Sequence, residues 1–81
     1  MHEVIVYSRQ GCHLCEVVKQ TLANLESSAE FHWRDVDIDA DPALRAQFND
    51  EIPVVFIDGR KAFKYHLDPA AFLRSLVSRA P

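Results

Sequence analysis

Two cysteines three positions apart, Cys12 and Cys15, are the residues of this chain best suited to chemistry. They lie where the apolar run Val4-Ile5-Val6-Tyr7 gives way to an amphipathic pattern beginning at His13. A thiol at the start of a helix faces unpaired backbone amides and the positive end of the macrodipole, and both favour thiolate over thiol. The effect matters because an ordinary thiol, with a pKa of ~8.5, is only a few per cent thiolate at pH 7. Cys12 is therefore the expected nucleophile. Cys15, one turn further in, is placed to attack a mixed disulfide formed at Cys12.

Other chemistry competes for the same pair. A structural zinc site usually takes four ligands, and beside the cysteines the chain offers His2, His13, His32 and His66. It has no second cysteine pair and no two histidines at zinc-finger spacing. An iron–sulfur cluster also needs four ligands, so it would require a dimer or added thiols. Two inert thiols brought together by accident fit poorly with a strand-to-helix junction. A bridge between residues so close closes almost no loop and stabilises little. The fold must stand on its core, which leaves the cysteines free for chemistry.

The elements that position the pair follow from the pattern. Glu3 to Tyr7 reads as a buried β-strand. Leu14, Val18, Leu22 and Leu25 recur at helical spacing and predict a helix to about Glu26. Phe31 to Ile38 reads as a second strand. Asp41-Pro42 opens a short helix ending near Phe48, the aspartate capping and the proline fitting the first helical position. Val54 to Ile57 is a third strand, Asp58-Gly59 a two-residue hairpin turn, and Arg60 to Lys64 a fourth strand. Asp68-Pro69 repeats the helix start, with Phe72, Leu73, Leu76 and Val77 as the apolar face. Phe31, Trp33 and Phe56 read as core, and Lys64, Tyr65 and His66 as an exposed polar rim. The order is β-α-β-α-β-β-α. The first two strands should run parallel, the last two antiparallel, in a mixed four-stranded α/β sheet with helices on both faces.

Composition bounds the rest. A chain of 81 residues holds a single domain, 1–81. The formal charge of -3, with nine scattered Lys and Arg, argues against nucleic-acid binding. No run approaches the ~18 apolar residues of a membrane span, and no leader-like segment precedes Val4. The expectation is a cytoplasmic monomer, off the membrane.

The segments Val4 to Cys15, Asp35-Val36-Asp37-Ile38-Asp39 and Ile52-Pro53-Val54-Val55-Phe56-Ile57-Asp58-Gly59 together closely resemble the glutaredoxin-like branch of the thioredoxin-fold superfamily. The resemblance spans nearly the whole chain and implies a thioredoxin-like fold. It also implies that Pro53 is cis and lies beside the thiols, and that Ile52 offers backbone hydrogen bonds to an extended substrate. The chain departs from the family at two places. His13-Leu14 replaces the usual Pro-Tyr between the cysteines. Lys64-Tyr65-His66-Leu67-Asp68 lacks the Gly-Gly that precedes the glutathione-binding turn. The second departure argues against glutathione as the natural partner.

These observations lead to a dithiol oxidoreductase with no covalent cofactor or metal, acting on a disulfide-containing protein or a small thiol. Its electron donor is left open between glutathione and a thioredoxin-reductase-type system. His13, as an imidazolium, could stabilise the Cys12 thiolate; Arg9 is a second candidate for that role or for attracting an acidic substrate. An iron–sulfur or metal carrier, and a thioredoxin-fold interaction module without turnover, are the alternatives.

Overall fold

The computed structural model describes residues 1–78. Four strands form one sheet: β1 (His2–Ser8), β2 (Phe31–Asp37), β3 (Val54–Ile57) and β4 (Arg60–Lys64), in the spatial order β2-β1-β3-β4. Three helices join them: α1 (His13–Leu25), α2 (Pro42–Phe48) and α3 (Pro69–Ser78). β1 runs parallel to β2 and antiparallel to β3, and β3 and β4 form an antiparallel hairpin. This is the predicted mixed α/β sheet in the predicted element order.

Local chemistry accounts for the boundaries. Asp41 Oδ1 accepts from the Ala43 amide, and Asp68 Oδ2 from the Ala71 amide, so each aspartate caps the helix its proline begins. In the hairpin turn Asp58 and Gly59 both take positive φ, 51° and 83°, as a tight two-residue turn matching strand twist requires. β2 ends one residue early, because Ile38 begins a single 3-10 turn, Ile38–Ala40, capped by Asp37. That turn drops Ile38 into full burial between sheet and α2.

Strand alternation divides the core in two. Val4, Val6, Val55 and Ile57 face α1 and α3 and pack with Val18, Leu22, Phe31, Phe72 and Leu76. On the opposite face Val54, Tyr7 and Phe56 meet α2 and the 3-10 turn, packing with Ile38, Phe48 and Leu44. Phe31 is buried, whereas Trp33 and Phe56 are only half-buried at the margins of these clusters.

Two residues depart from the expected helix faces. Leu14 is 39% exposed, and the buried stripe of α1 is instead Cys15, Val18 and Leu22, with Leu25 packed beside it. One residue turns a helix by ~100°, enough to move Leu14 off the stripe that Cys15 occupies. Val77 is 79% exposed because Phe72 and Leu76, four apart, already define the line facing the sheet. No helix among the described residues is long and apolar enough to cross a membrane.

Candidate active site

Cys12 is the residue immediately before α1, with extended backbone (φ -91°, ψ 108°). Its carbonyl accepts from the Glu16 amide at 3.1 Å, and its Sγ from the Cys15 amide at 3.1 Å. The sulfur thus occupies the position an N-cap oxygen usually takes, among amides with no helical partner. Gly11, just before it, has φ 77°, and a Cβ there would meet nothing within 4 Å. Glycine is needed at that turn for its backbone angle rather than for space.

Cys12 and Cys15 are joined as a disulfide with Cα atoms 5.2 Å apart. The two sulfurs differ in setting. Cys12 is half-buried at the helix tip, while Cys15 is fully buried on the face packed against the sheet. An incoming group can reach the first; the second is screened by its own helix.

The register brings the other site residues to the same end of the sheet. Tyr7 of β1 pairs with Val54 of β3, so Ile52-Pro53 enters β3 where β1 runs out toward Cys12. The Ile52–Pro53 peptide is cis, Pro53 is buried and Ile52 half-buried. β4 ends at this edge too, with Lys64 opposite Val54.

The two candidate thiolate modulators differ in placement. His13 is the first residue of α1 and is exposed. Arg9 is committed elsewhere: Nε and Nη2 donate to the two Asp39 oxygens at 2.9 and 3.0 Å, and Nη2 also to Asn49 Oδ1 at 2.7 Å. Its hydrogen bonds with Asp39 raise the guanidinium pKa and lower that of the carboxyl. The Arg9 fork therefore ties the loop before Cys12 to the 3-10 turn after β2 and to the end of α2.

A second set of ties escaped the sequence reading. Ser8, the buried polar residue of the core, donates its hydroxyl to Asp35, and Lys19 reaches the same carboxylate at 3.2 Å and Glu16 at 2.7 Å. Glu16, followed by Asp35, holds the Lys19 ammonium above its ordinary pKa. These bonds join the first turns of α1 to the ends of β1 and β2. They border a polar cavity of about 270 Å³ that Arg9 and Gly11 also line. A wider concavity of about 360 Å³ lies at the opposite end of the sheet, among Met1, Ala29 and Leu73, with neither cysteine in it. The spacing of three between Glu16 and Lys19 on one helix is the local signal for their pairing; Asp35 becomes their neighbour only through the β1–β2 register.

Comparison with known proteins agrees with this arrangement. The glutaredoxin-like domain (DUF836) family model matches residues 3–76. An uncharacterized protein of Mycobacterium tuberculosis is 37% identical over 71 residues, covering 82% of this chain and 73% of its own. The solution structure of a Nitrosomonas europaea protein superposes with a TM-score of 0.79 at 30% identity, covering 91% of this chain and 89% of that one. A mutant thioredoxin of Halobacterium salinarum, at 18% identity, superposes with a TM-score of 0.70 over 99% of this chain and 75% of its own, a likeness of fold. The chain belongs to the glutaredoxin-like (DUF836) family, with a thioredoxin-like fold and a cysteine pair at disulfide distance at the start of its first helix.

Proposed function

We propose that the protein is a thiol–disulfide oxidoreductase in which Cys12 is the nucleophile and Cys15 the resolving thiol. One observation carries the assignment: the two sulfurs are within bonding reach, yet Cys12 stands accessible at the helix tip and Cys15 is wholly buried behind it.

In the reduced protein the Cys12 thiolate attacks one sulfur of a substrate disulfide. The substrate S–S bond breaks, a Cys12–substrate disulfide forms, and the other substrate sulfur leaves as a thiolate that takes up a proton. Cys15, losing its proton, then attacks Cys12 Sγ. The Cys12–Cys15 disulfide forms and the second substrate thiol departs. Two electrons pass from protein to substrate; of the two protons the product thiols take up, one comes from Cys15 and one from solvent. An external thiol reductant, glutathione or a thioredoxin-reductase-type system, restores the dithiol in a reducing compartment such as the cytoplasm.

Helix-terminal amides around Cys12 Sγ favour the thiolate both for attack and as the group displaced by Cys15. An imidazolium at His13 would add to that preference. Ile52 and Pro53, at the same edge, supply the backbone against which an extended substrate segment lies.

Two variants test the assignment. Cys12→Ser is expected to abolish disulfide reduction. Cys15→Ser is expected to accumulate a mixed disulfide with substrate, seen as a mass adduct on Cys12 that reductant removes. Full turnover by the Cys12 variant would overturn the mechanism. A coupled assay comparing glutathione with thioredoxin reductase identifies the donor.

A further inference from the structure

The large apolar side chains exposed among the described residues fall at the two ends of the molecule. Met1 and Val77 border the far concavity, whereas Leu14, Val17 and Tyr65 lie toward the cysteine end. Tyr65 is held there at some cost. Its φ is 71°, a left-handed conformation that L residues with large side chains rarely adopt.

Three contacts fix it in that state. Its amide donates to the Pro53 carbonyl at 2.8 Å, its hydroxyl donates to the Asp50 carbonyl at 2.8 Å, and Lys64 Nζ stands 5.3 Å from the ring centroid. The ring is thereby laid along the 50–53 loop that ends at Pro53. In this state the side chain is only partly covered, and Tyr65 remains 38% exposed. Glycine would satisfy the same turn without strain. What a tyrosine adds over glycine is a rigid aromatic surface beside Pro53, facing solvent, and strained residues held by their surroundings concentrate at functional sites.

We infer that Tyr65 is a specificity-determining residue that selects polypeptide disulfides over small ones; the inference rests on the oxidoreductase reading above. Its position sets the class of substrate. Tyr65 directly follows β4, two strands from β1, and adjacent strands lie ~4.8 Å apart, so its backbone stands roughly 10 Å across the sheet end from the strand leading to Cys12. A disulfide carrying only a few atoms on each sulfur does not span that distance. A polypeptide bonded to Cys12 and running past Ile52-Pro53 does, and places one of its side chains on the ring.

The test is single-turnover reduction by the pre-reduced protein, with insulin as the polypeptide probe and bis(2-hydroxyethyl) disulfide as the small one. Tyr65→Gly removes the ring and relieves the backbone; Tyr65→Phe keeps the ring and loses the hydroxyl tie. Tyr65→Gly should raise the half-saturating insulin concentration about tenfold, the loss typical of removing an aromatic contact, and change the small-disulfide rate less than twofold. Tyr65→Phe should stay within about threefold of wild type on both probes. An unchanged insulin concentration in Tyr65→Gly, or an equal fall on both probes, overturns the inference. So does a Tyr65→Phe defect as large as that of Tyr65→Gly, which would make the tyrosine a loop anchor. Wild-type protein inert toward both probes overturns the oxidoreductase reading and this inference with it.

Discussion

The two faces of the sheet are built differently and hold different halves of the site. The face toward α1 and α3 is a broad, mainly aliphatic layer in which Val6, Leu22, Ile57 and Phe72 are completely buried. It seats α1, and with it the buried Cys15. The face toward α2 is a smaller cluster built on aromatics: Tyr7 stacks on Phe48 at 4.7 Å, and Phe56 meets both edge-on at 5.3 and 5.8 Å. Its members Tyr7, Phe56 and Ile52 are only half-buried. This second layer supports the loop into Pro53. The helix that carries the thiols rests on the deep side of the fold, and the loop into Pro53, proposed to meet substrate, on the shallow side.

Truncating one aromatic on each face tests that difference. Phe72→Ala, which empties a fully buried site against Phe31 and Phe63, should cost about 3–5 kcal/mol of unfolding free energy by chemical denaturation. Phe48→Ala should cost less, about 3 kcal/mol, at the lower end of that range, because a cluster with half-exposed members can collapse into the vacated space. It should also weaken use of an extended substrate, through KM, by loosening the 49–53 loop. Equal stability losses for the two variants would erase the contrast between the faces.

Smaller changes act at the joints between the faces and the cysteines. Gly11→Ala should destabilise by about 1 kcal/mol in a thermal melt, wholly through its positive φ, since the added methyl has open space. A neutral or stabilising result would mean that the turn before Cys12 relaxes freely.

The smallest expected effect belongs to the exposed Arg9–Asp39 pair. Arg9 holds the Asp39 carboxyl below its ordinary value of 3.8. A depressed folded-state pKa contributes stability above the unfolded value and loses it as pH falls through the folded one. The melting temperature of Asp39→Asn should therefore lie slightly below wild type at neutral pH. The gap should begin to close near pH 3.8, vanish below the depressed pKa, and narrow with added salt. A gap that widens on acidification would show that the pair does not behave as an ion pair.

How much of this could be read from the sequence depended on whether the cause was local. Asp41-Pro42, Asp68-Pro69 and Asp58-Gly59 announce their caps and turn through side chains acting on neighbouring amides, and all three stand where expected. The cysteine pair was legible for the same reason, since a helix start gives two thiols unequal settings. Helical spacing was less decisive: it showed that α1 has an apolar stripe but put Leu14 on it, whereas packing on the sheet buries Cys15 instead. The Ser8–Asp35–Lys19 ties and the Arg9 fork join residues 16 to 40 apart in sequence, so they exist only once the strands are paired. Tyr65 was placed on the exposed rim, where it lies, but nothing local signals a tyrosine with positive φ.

The two thiols should be chemically unequal, because one caps a helix and the other is buried beneath it. Alkylation of the fully reduced protein with iodoacetamide across a pH series, with each cysteine followed by mass spectrometry, measures this directly. Cys12 should be modified first, with a midpoint below the ordinary thiol value of ~8.5, while Cys15 stays protected in the folded protein. Equal modification of both cysteines, or prior modification of Cys15, would contradict it.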